Sequence, residues 1–252
     1  MRPAHALTAA LTVLAVGCRE PAAPPPDAGT SPRPVPRDTP LGVLHGQVRV
    51  QGTVPPPLAV ALPASVGRAC GDAVDVSSVR VSPQGGLRDA VVWLDAPPSP
   101  NPTPGNAVLD QRRCAYLPRV LAMRAGDRLA VVNSDALLHN VRAGEGARTW
   151  FNIAMPFEGL RSIKTLPERP GTFAFACDVH PWMRAWVKTF DHPFFARTAE
   201  DGGYRIEGVP AGRYRVRTWH ERFPERTEEV TLGEGREARQ DWMWRAADLR
   251  EG

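Results

Sequence analysis

The stretch Cys177-Asp178-Val179-His180-Pro181-Trp182-Met183 decides how this sequence is interpreted. It places a thiol, an imidazole and a thioether at positions i, i+3 and i+6 of one short segment. Residues 172–177 and 184–190, on either side, are short runs of alternating apolar character, which is typical of β-strands. We therefore expect a tight loop between two strands, in which two sulfur donors and one nitrogen donor converge.

A second imidazole lies upstream of this loop. His139 follows a predicted strand at residues 128–132 and its turn, and neighbouring strands of a sandwich can bring the two segments together. Two histidines, one cysteine and a distant methionine are the donor set of a blue-copper centre. The sequence therefore predicts a copper site built from these two segments.

Other interpretations of the same residues are open individually. Cys177 can be a buried thiol, Met183 a core residue, His180 a solvent-facing loop residue and His139 a turn residue. Zinc can bind Cys-His-His, although structural zinc sites rarely recruit a thioether. A binuclear copper site needs two cysteines in the loop, and only Cys177 is present. The four residues together favour a mononuclear copper site.

Together these motifs resemble the cupredoxin family over about residues 106–191. The matching segments are Ala125-Gly126-Asp127, His139-Asn140-Val141, Pro170-Gly171-Thr172-Phe173 and the Cys177–Met183 loop. The resemblance implies a Greek-key β-sandwich, one type 1 copper ion and one-electron transfer between redox partners. It also implies that His139, Cys177 and His180 are the strong ligands and Met183 the axial ligand.

The resemblance also assigns roles to neighbours of the ligands. Asn140 matches the residue that joins the two ligand segments by hydrogen bonds. The residue after the cysteine is usually Ser or Thr, and Asp178 departs from that pattern, which changes the hydrogen bonds around the ligand. Pro181 and Trp182 beside His180 are expected to form an apolar surface where redox proteins dock transiently, unless Trp182 packs inward.

The rest of the chain beyond residue 40 also has a β pattern, so the predicted fold class is all-β. Residues 198–214, with glycine turns and alternating Tyr204, Ile206 and Tyr214, resemble a small transthyretin-like or carboxypeptidase regulatory-like sandwich. We expect this sandwich to be discontinuous, formed by residues 41–100 and 194–245, with the cupredoxin domain at 106–191 inserted. The alternative is that the first strands extend the cupredoxin.

The N-terminus predicts export. Residues 6–16 are apolar apart from two threonines, too few to span a bilayer, so residues 1–17 are interpreted as a signal peptide. Leu14-Ala15-Val16-Gly17-Cys18 resembles a lipoprotein cleavage motif, which predicts a lipid anchor at Cys18 in the periplasm or cell envelope. An ordinary secretory signal, with Cys18 incidental, is the alternative. The proline-rich residues 18–40 are expected to be a disordered tether.

Cys70 and Cys114, the cysteines outside the two motifs, are available to form a disulfide. In an oxidising compartment we expect a Cys70–Cys114 disulfide, which would stabilise the fold by about 3–4 kcal/mol on the chain-entropy model. The alternative is two buried thiols.

Composition excludes some function classes. The 252 residues are 42% hydrophobic and 23% charged, with net charge +4, which is typical of a globular chain. No basic run is interleaved with aromatic residues, so we expect no nucleic-acid partner. No base, nucleophile or open metal position can be named, so we expect no enzyme. An electron carrier is favoured; a copper carrier or storage protein and a non-metal scaffold or adhesion protein are the alternatives.

Overall fold

A computed structural model describes residues 40–101 and 103–250 of the chain. The predicted signal peptide, Cys18 and the tether up to residue 39 lie outside the described residues. The predicted all-β fold is confirmed, since strands form nearly all of the regular structure. Within the described ranges, no helix combines the length and the apolar character needed to cross a bilayer.

The strands are short and are numbered in chain order. The first ten are β1 (Gly42–Gln51), β2 (Ala59–Ala61), β3 (Ala73–Asp75), β4 (Val91–Leu94), β5 (Asn106–Arg112), β6 (Ala115–Leu117), β7 (Val120–Arg124), β8 (Arg128–Asn133), β9 (His139–Glu145) and β10 (Arg148–Met155). The others are β11 (Arg161–Thr165), β12 (Gly171–Ala176), β13 (Arg184–Phe190), β14 (Phe195–Arg197), β15 (Gly203–Val209), β16 (Gly212–His220), β17 (Phe223–Leu232), β18 (Glu237–Arg239) and β19 (Trp242–Arg245). One helix, α1 (Ala64–Cys70), and a 3-10 turn at Ala246–Asp248 complete the description.

Two sheets form what we call the central sandwich. One has the order β10-β9-β12-β13-β7 and the other β11-β8-β5-β6. Alternation along each strand explains the layer between them: in β12, Phe173 and Phe175 are buried and Ala174 is exposed. These rings share one core with Leu109 of β5 and Leu129 of β8. The shared core therefore joins the two sheets face to face.

Two further sheets form what we call the flanking sandwich. In one, β1 lies between β15 and β18 and also pairs with β19; the other has the order β14-β4-β16-β17. Leu44 and Val48 of β1, Val92 of β4 and Trp244 of β19 share its core. These strands come from both ends of the chain, before and after the central sandwich. Their assignment to a carboxypeptidase regulatory-like domain, and the domain boundaries, stay predictions.

The segment between β1 and β4, residues 52–90, which we call the excursion, has a structure that was not expected from the sequence. Strands β2 and β3 form a two-stranded sheet of their own, and α1 lies between them in the chain. Leu62, Val66 and Ala69 of this excursion pack against the central core. Cys70, the last residue of α1, is bonded to Cys114, so the predicted disulfide is present. The excursion is thus fastened to the central sandwich by apolar contacts and one covalent bond.

Candidate metal centre

The Cys177–Met183 loop closes the hairpin of β12 and β13. The strands pair antiparallel up to Ala176 and Arg184. The Cys177 N–H then donates to the Met183 carbonyl at 3.2 Å, and the Met183 N–H donates to the His180 carbonyl at 2.9 Å. Cys177 and Met183 are both buried in the central core. The loop therefore holds its three donor residues in one compact turn.

His139 is brought beside this loop by sheet order. It is the first residue of β9, and β9 pairs with β12 in the same sheet. His139 Nδ1 lies 2.9 Å from His180 Nδ1, and Cys177 Sγ lies 3.7 Å from His180 Nδ1. His139 is 0% exposed and His180 is 4% exposed. The three donors predicted as strong ligands therefore meet in a buried position.

The spacing of these atoms fits a shared metal ion. Metal–nitrogen and metal–sulfur bonds of about 2.0 and 2.3 Å, the values for zinc, would span gaps of this size. Imidazole and thiolate donors also suit copper by their chemistry, and Met183, which is buried and bonded through its backbone to His180, is the residue with a further soft donor. The donor set therefore fits the predicted copper ion.

Asn140 joins the two ligand segments, in the position that the resemblance implies. Its backbone N–H donates to Cys177 Sγ at 3.5 Å. Its side-chain Oδ1 accepts from the N–H of Asp178 at 2.6 Å and from the N–H of Val179 at 3.3 Å. Fixing this side chain therefore fixes the loop relative to β9.

Asp178 replaces the usual hydroxyl residue with a charged hydrogen-bond acceptor. Its carboxylate accepts from Arg142 Nε at 2.8 Å, Asn140 Nδ2 at 2.9 Å and Asn152 Nδ2 at 3.0 Å. The bond from Arg142, and then those from Asn152 and Asn140, lower the pKa of Asp178. The ionised carboxylate therefore orients Asn140 from the solvent side.

Asp135 is a site residue that the sequence analysis missed. Its Oδ2 lies 2.9 Å from His139 Nε2, and both residues are buried. The carboxylate also accepts from the N–H groups of Arg113 at 2.6 Å and Cys114 at 2.9 Å. Burial raises the pKa of Asp135, but the bonds from His139, Cys114 and Arg113 outweigh burial and lower it. An acid four residues before the histidine was the available signal, but a turn of unknown shape separates the two.

The Asp135 carboxylate selects the tautomer of His139. With the Nε2–H donated to the carboxylate, Nδ1 keeps its lone pair facing His180 and Cys177. Metal-ligating histidines commonly donate their other ring N–H to a carboxylate in this way. The arrangement therefore prepares His139 as a ligand through Nδ1.

Burial lowers the pKa of His139, but its bond to Asp135 outweighs burial and raises it, so a bound metal ion would displace a proton from this ring. The other two donors are held in the forms that bind metals. Burial raises the pKa of Cys177, but the nearby His139 ring and hydrogen bonds from backbone N–H groups, that of Asn140 among them, outweigh burial and lower it. Burial and the nearby His139 lower the pKa of His180. Thiolate and neutral imidazole are the species that metals bind.

The residues predicted for docking differ in exposure. Pro181 is exposed, whereas Trp182 is half-buried and donates its Nε1–H to the Cys114 carbonyl at 3.1 Å. His180 lies almost entirely below the surface, and the rings of His139 and Trp182 pack against it at centroid distances of 4.7 and 5.2 Å. Leu138 and Val179, each next to a ligand in the chain, are nonetheless exposed, and so is Phe157, two residues after the strand partner of His139.

Comparison with known proteins gives matches in structure only. No family profile and no curated protein matches the chain. A copper-containing nitrite reductase from Thermus scotoductus matches with TM-score 0.31 and 19% identity over 36% of this chain and 23% of its own. Amicyanin from Paracoccus versutus matches with TM-score 0.29 and 20% identity over 39% and 97%. A purple cupredoxin from Nitrosopumilus maritimus matches with TM-score 0.30 and 19% identity over 34% and 99%.

The matched structures thus include cupredoxins, and the matches cover about a third of this chain. At these TM-scores the likeness does not indicate a function, so the function is inferred from the side chains around Cys177.

The expectation of no enzyme, drawn from the lack of a nameable base, nucleophile or open metal position, is wrong, because a copper nitrite reductase is among the matched structures. The chain spans less than a quarter of that reductase, and only the cupredoxin-like part matches. The match does not make this chain an enzyme.

Proposed function

We propose that this chain is a type 1 copper protein that carries single electrons between redox partners in the cell envelope. The observation that carries the proposal is the convergence of His139 Nδ1, His180 Nδ1 and Cys177 Sγ in a buried position. Copper bound there would supply a centre that accepts and returns one electron. The proposed axial donor is Met183, and the proposed anchor is a lipid on Cys18.

The residues around the site support a rigid centre. Two adjacent strands hold the ligands, Asn140 joins them, and Asp135 fixes the ring of His139. Buried ligands also exclude water from the site. Because the ligands are held on both sides, the geometry would change little between oxidation states, which favours fast electron transfer.

The exposed apolar residues near the site support docking of redox proteins. Val179 and Pro181 flank His180 in the loop, and Leu138 precedes His139. Phe157 follows Met155, which pairs with His139 across β10 and β9. Transient redox complexes bury small interfaces, and a few exposed apolar side chains next to a ligand are enough to form one.

The test is the visible spectrum of the full-length protein titrated with copper(II) and then with ascorbate. We expect an intense blue thiolate-to-copper band that ascorbate bleaches and reoxidation restores. Cys177→Ser should abolish the band, and His180→Gln should abolish or strongly shift it. The matched control is His45→Gln, which removes a partly exposed histidine of β1 and should leave the band unchanged.

Two results would contradict the proposal. A colourless protein that binds copper(I) would indicate a copper carrier. No binding of copper in either oxidation state would leave the non-metal scaffold.

A further inference from the structure

The Cys70–Cys114 disulfide lies at the edge of the proposed copper site. Cys114 Sγ and one ring nitrogen each of His139 and His180 all lie within 4.8 Å of one another. All three residues are buried, with Cys114 at 0% exposure. The site therefore has a second sulfur beside its histidines, in addition to Cys177.

Cys114 is held in place independently of its disulfide. It occupies the turn between β5 and β6, where Arg113 and Cys114 both have positive φ, 52° and 54°. The Asp135 carboxylate accepts the N–H groups of both turn residues, and the Cys114 carbonyl accepts from Trp182 Nε1. Because these bonds do not involve the sulfur, Cys114 stays beside the histidines when the disulfide is broken.

Cys70 is held differently. It ends α1, in an excursion whose strands pair only with each other in the described part of the chain. Breaking the disulfide would remove the covalent link of this excursion to the central sandwich. The Cys114 sulfur would then be free of its partner, and the helix that covers it would be held by apolar contacts alone.

We propose that Cys114 is a conditional metal ligand, which becomes a second thiolate donor of the His139–Cys177–His180 site when the disulfide is reduced. A dithiol reductant would supply two electrons and two protons. The Cys70–Cys114 bond breaks, two thiols form, and the reductant is oxidised to its own disulfide. On metal binding the Cys114 thiol would release its proton. The inference rests on the proposed function and extends it.

The two forms of the site would favour different ions. One thiolate with two imidazoles and a distant thioether is the donor set of a type 1 copper centre. Two thiolates with two imidazoles form a tetrahedral Cys₂His₂ set, which suits zinc and other ions that prefer that geometry. Reduction of the disulfide would therefore convert an electron-transfer site into a closed, tightly binding site.

The test uses cobalt(II) as the probe, because its sulfur-to-metal absorption increases with the number of bound thiolates. The two variants to compare are Cys70→Ser and Cys114→Ser in the full chain. Both lack the disulfide and both keep one cysteine of the pair, so the covering excursion is released equally in each. Only Cys70→Ser leaves a sulfur beside His139 and His180.

We expect about twice the sulfur-to-cobalt absorption per bound ion in Cys70→Ser as in Cys114→Ser. We also expect Cys70→Ser to bind zinc at least about tenfold more tightly in competition with a chelator. Equal spectra and equal affinities in the two variants would overturn the inference and leave the proposed function standing. If neither the two variants nor the wild type bind cobalt, both this inference and the proposed function are overturned.

A measurement on the wild type covers the case in which a variant does not fold. The oxidised protein is compared with protein reduced by a dithiol, which is then removed under anaerobic conditions before cobalt is added. The absorption per ion should double on reduction and return to its first value on reoxidation. An unchanged spectrum, with free thiols confirmed by alkylation, would overturn the inference.

Discussion

One end of the central sandwich holds a cluster of buried polar side chains, whereas in the described residues those of the flanking sandwich are not bonded to one another. Asp135, His139 and His180 form a continuous chain of contacts of 2.9 Å. In the flanking sandwich, Thr198 donates to the Leu87 carbonyl at 2.7 Å and the adjacent Arg197 pairs with Asp89 at 2.6 Å. His220 Nδ1 accepts from the Arg222 N–H at 3.1 Å, and no hydrogen bond among the described residues joins it to Thr198 or Asp89. Each of these bonds pairs neighbouring groups, and none of them forms part of a shared cluster of polar side chains. Convergence of buried polar groups, more than their burial, therefore marks the candidate site.

The largest effect is expected where the two sandwiches meet. Arg119, just before β7, makes two hydrogen bonds of 2.6 and 3.0 Å to Glu221, in the turn between β16 and β17. Trp186 Nε1 donates to the same carboxylate at 2.9 Å. Glu221→Ala should lower the free energy of unfolding by about 3–5 kcal/mol, because it leaves the mostly buried Arg119 guanidinium without its carboxylate and the Trp186 indole N–H without an acceptor. Urea denaturation measures the loss.

An exposed ion pair within the flanking sandwich provides the control. Glu229 pairs with Arg213, and both side chains are more than half exposed. Glu229→Ala should cost less than about 1 kcal/mol. Similar losses for Glu221→Ala and Glu229→Ala would show that the contact between the sandwiches contributes no more than a surface pair.

The next effect compares one buried carboxylate of each sandwich, Asp135 and Asp89, in metal binding. Asp135→Asn should weaken metal binding by about 10–100-fold, because a neutral amide supports the His139 ring less strongly than a carboxylate does. Asp89→Asn removes a buried charge in the flanking sandwich and should leave metal affinity unchanged. Competition with a chelator of known affinity measures both variants. Equal affinities for Asp135→Asn and the wild type would remove Asp135 from the site.

The sequence predicted those site residues that stand close together in the chain, in the Cys177–Met183 loop, and it also predicted His139. The order of His139 and the Cys177–Met183 loop predicted which side chains meet, because adjacent strands bring sequence-distant ends together. Asp135 was missed, since its approach to His139 depends on a turn that has no periodicity. The burial of His180 was missed for the same reason.

Other parts of the fold could not be predicted for different physical reasons. Helix α1 has only seven residues, too few for a helical period to be recognised. The Arg119–Glu221 pair joins residues 102 positions apart. No local pattern encodes such a pairing, which depends on how the sandwiches pack.

The smallest predicted effect is on how the free energy of unfolding depends on pH, and it concerns a histidine of the flanking sandwich. His220 ends β16 in the flanking sandwich; its Nδ1 accepts from the Arg222 N–H at 3.1 Å, and its Nε2 has no partner among the described residues. Burial lowers the pKa of His220 to about 4. The unfolded chain, with an ordinary histidine pKa of about 6.5, therefore binds more protons at mildly acid pH, and stability falls as pH falls from about 6.5 towards 4.

His220→Asn should remove this part of the pH dependence. Asparagine keeps an acceptor close to the position of Nδ1 but does not titrate, and every other histidine is common to both proteins. Between pH 7 and pH 5.5 the metal-free wild type should lose about 1 kcal/mol more of its free energy of unfolding than the variant loses. Urea denaturation at the two pH values measures the difference. The same loss in both proteins would mean that His220 does not set the acid sensitivity, which would then come from other histidines whose pKa burial lowers, His180 in the central cluster and His192 outside it.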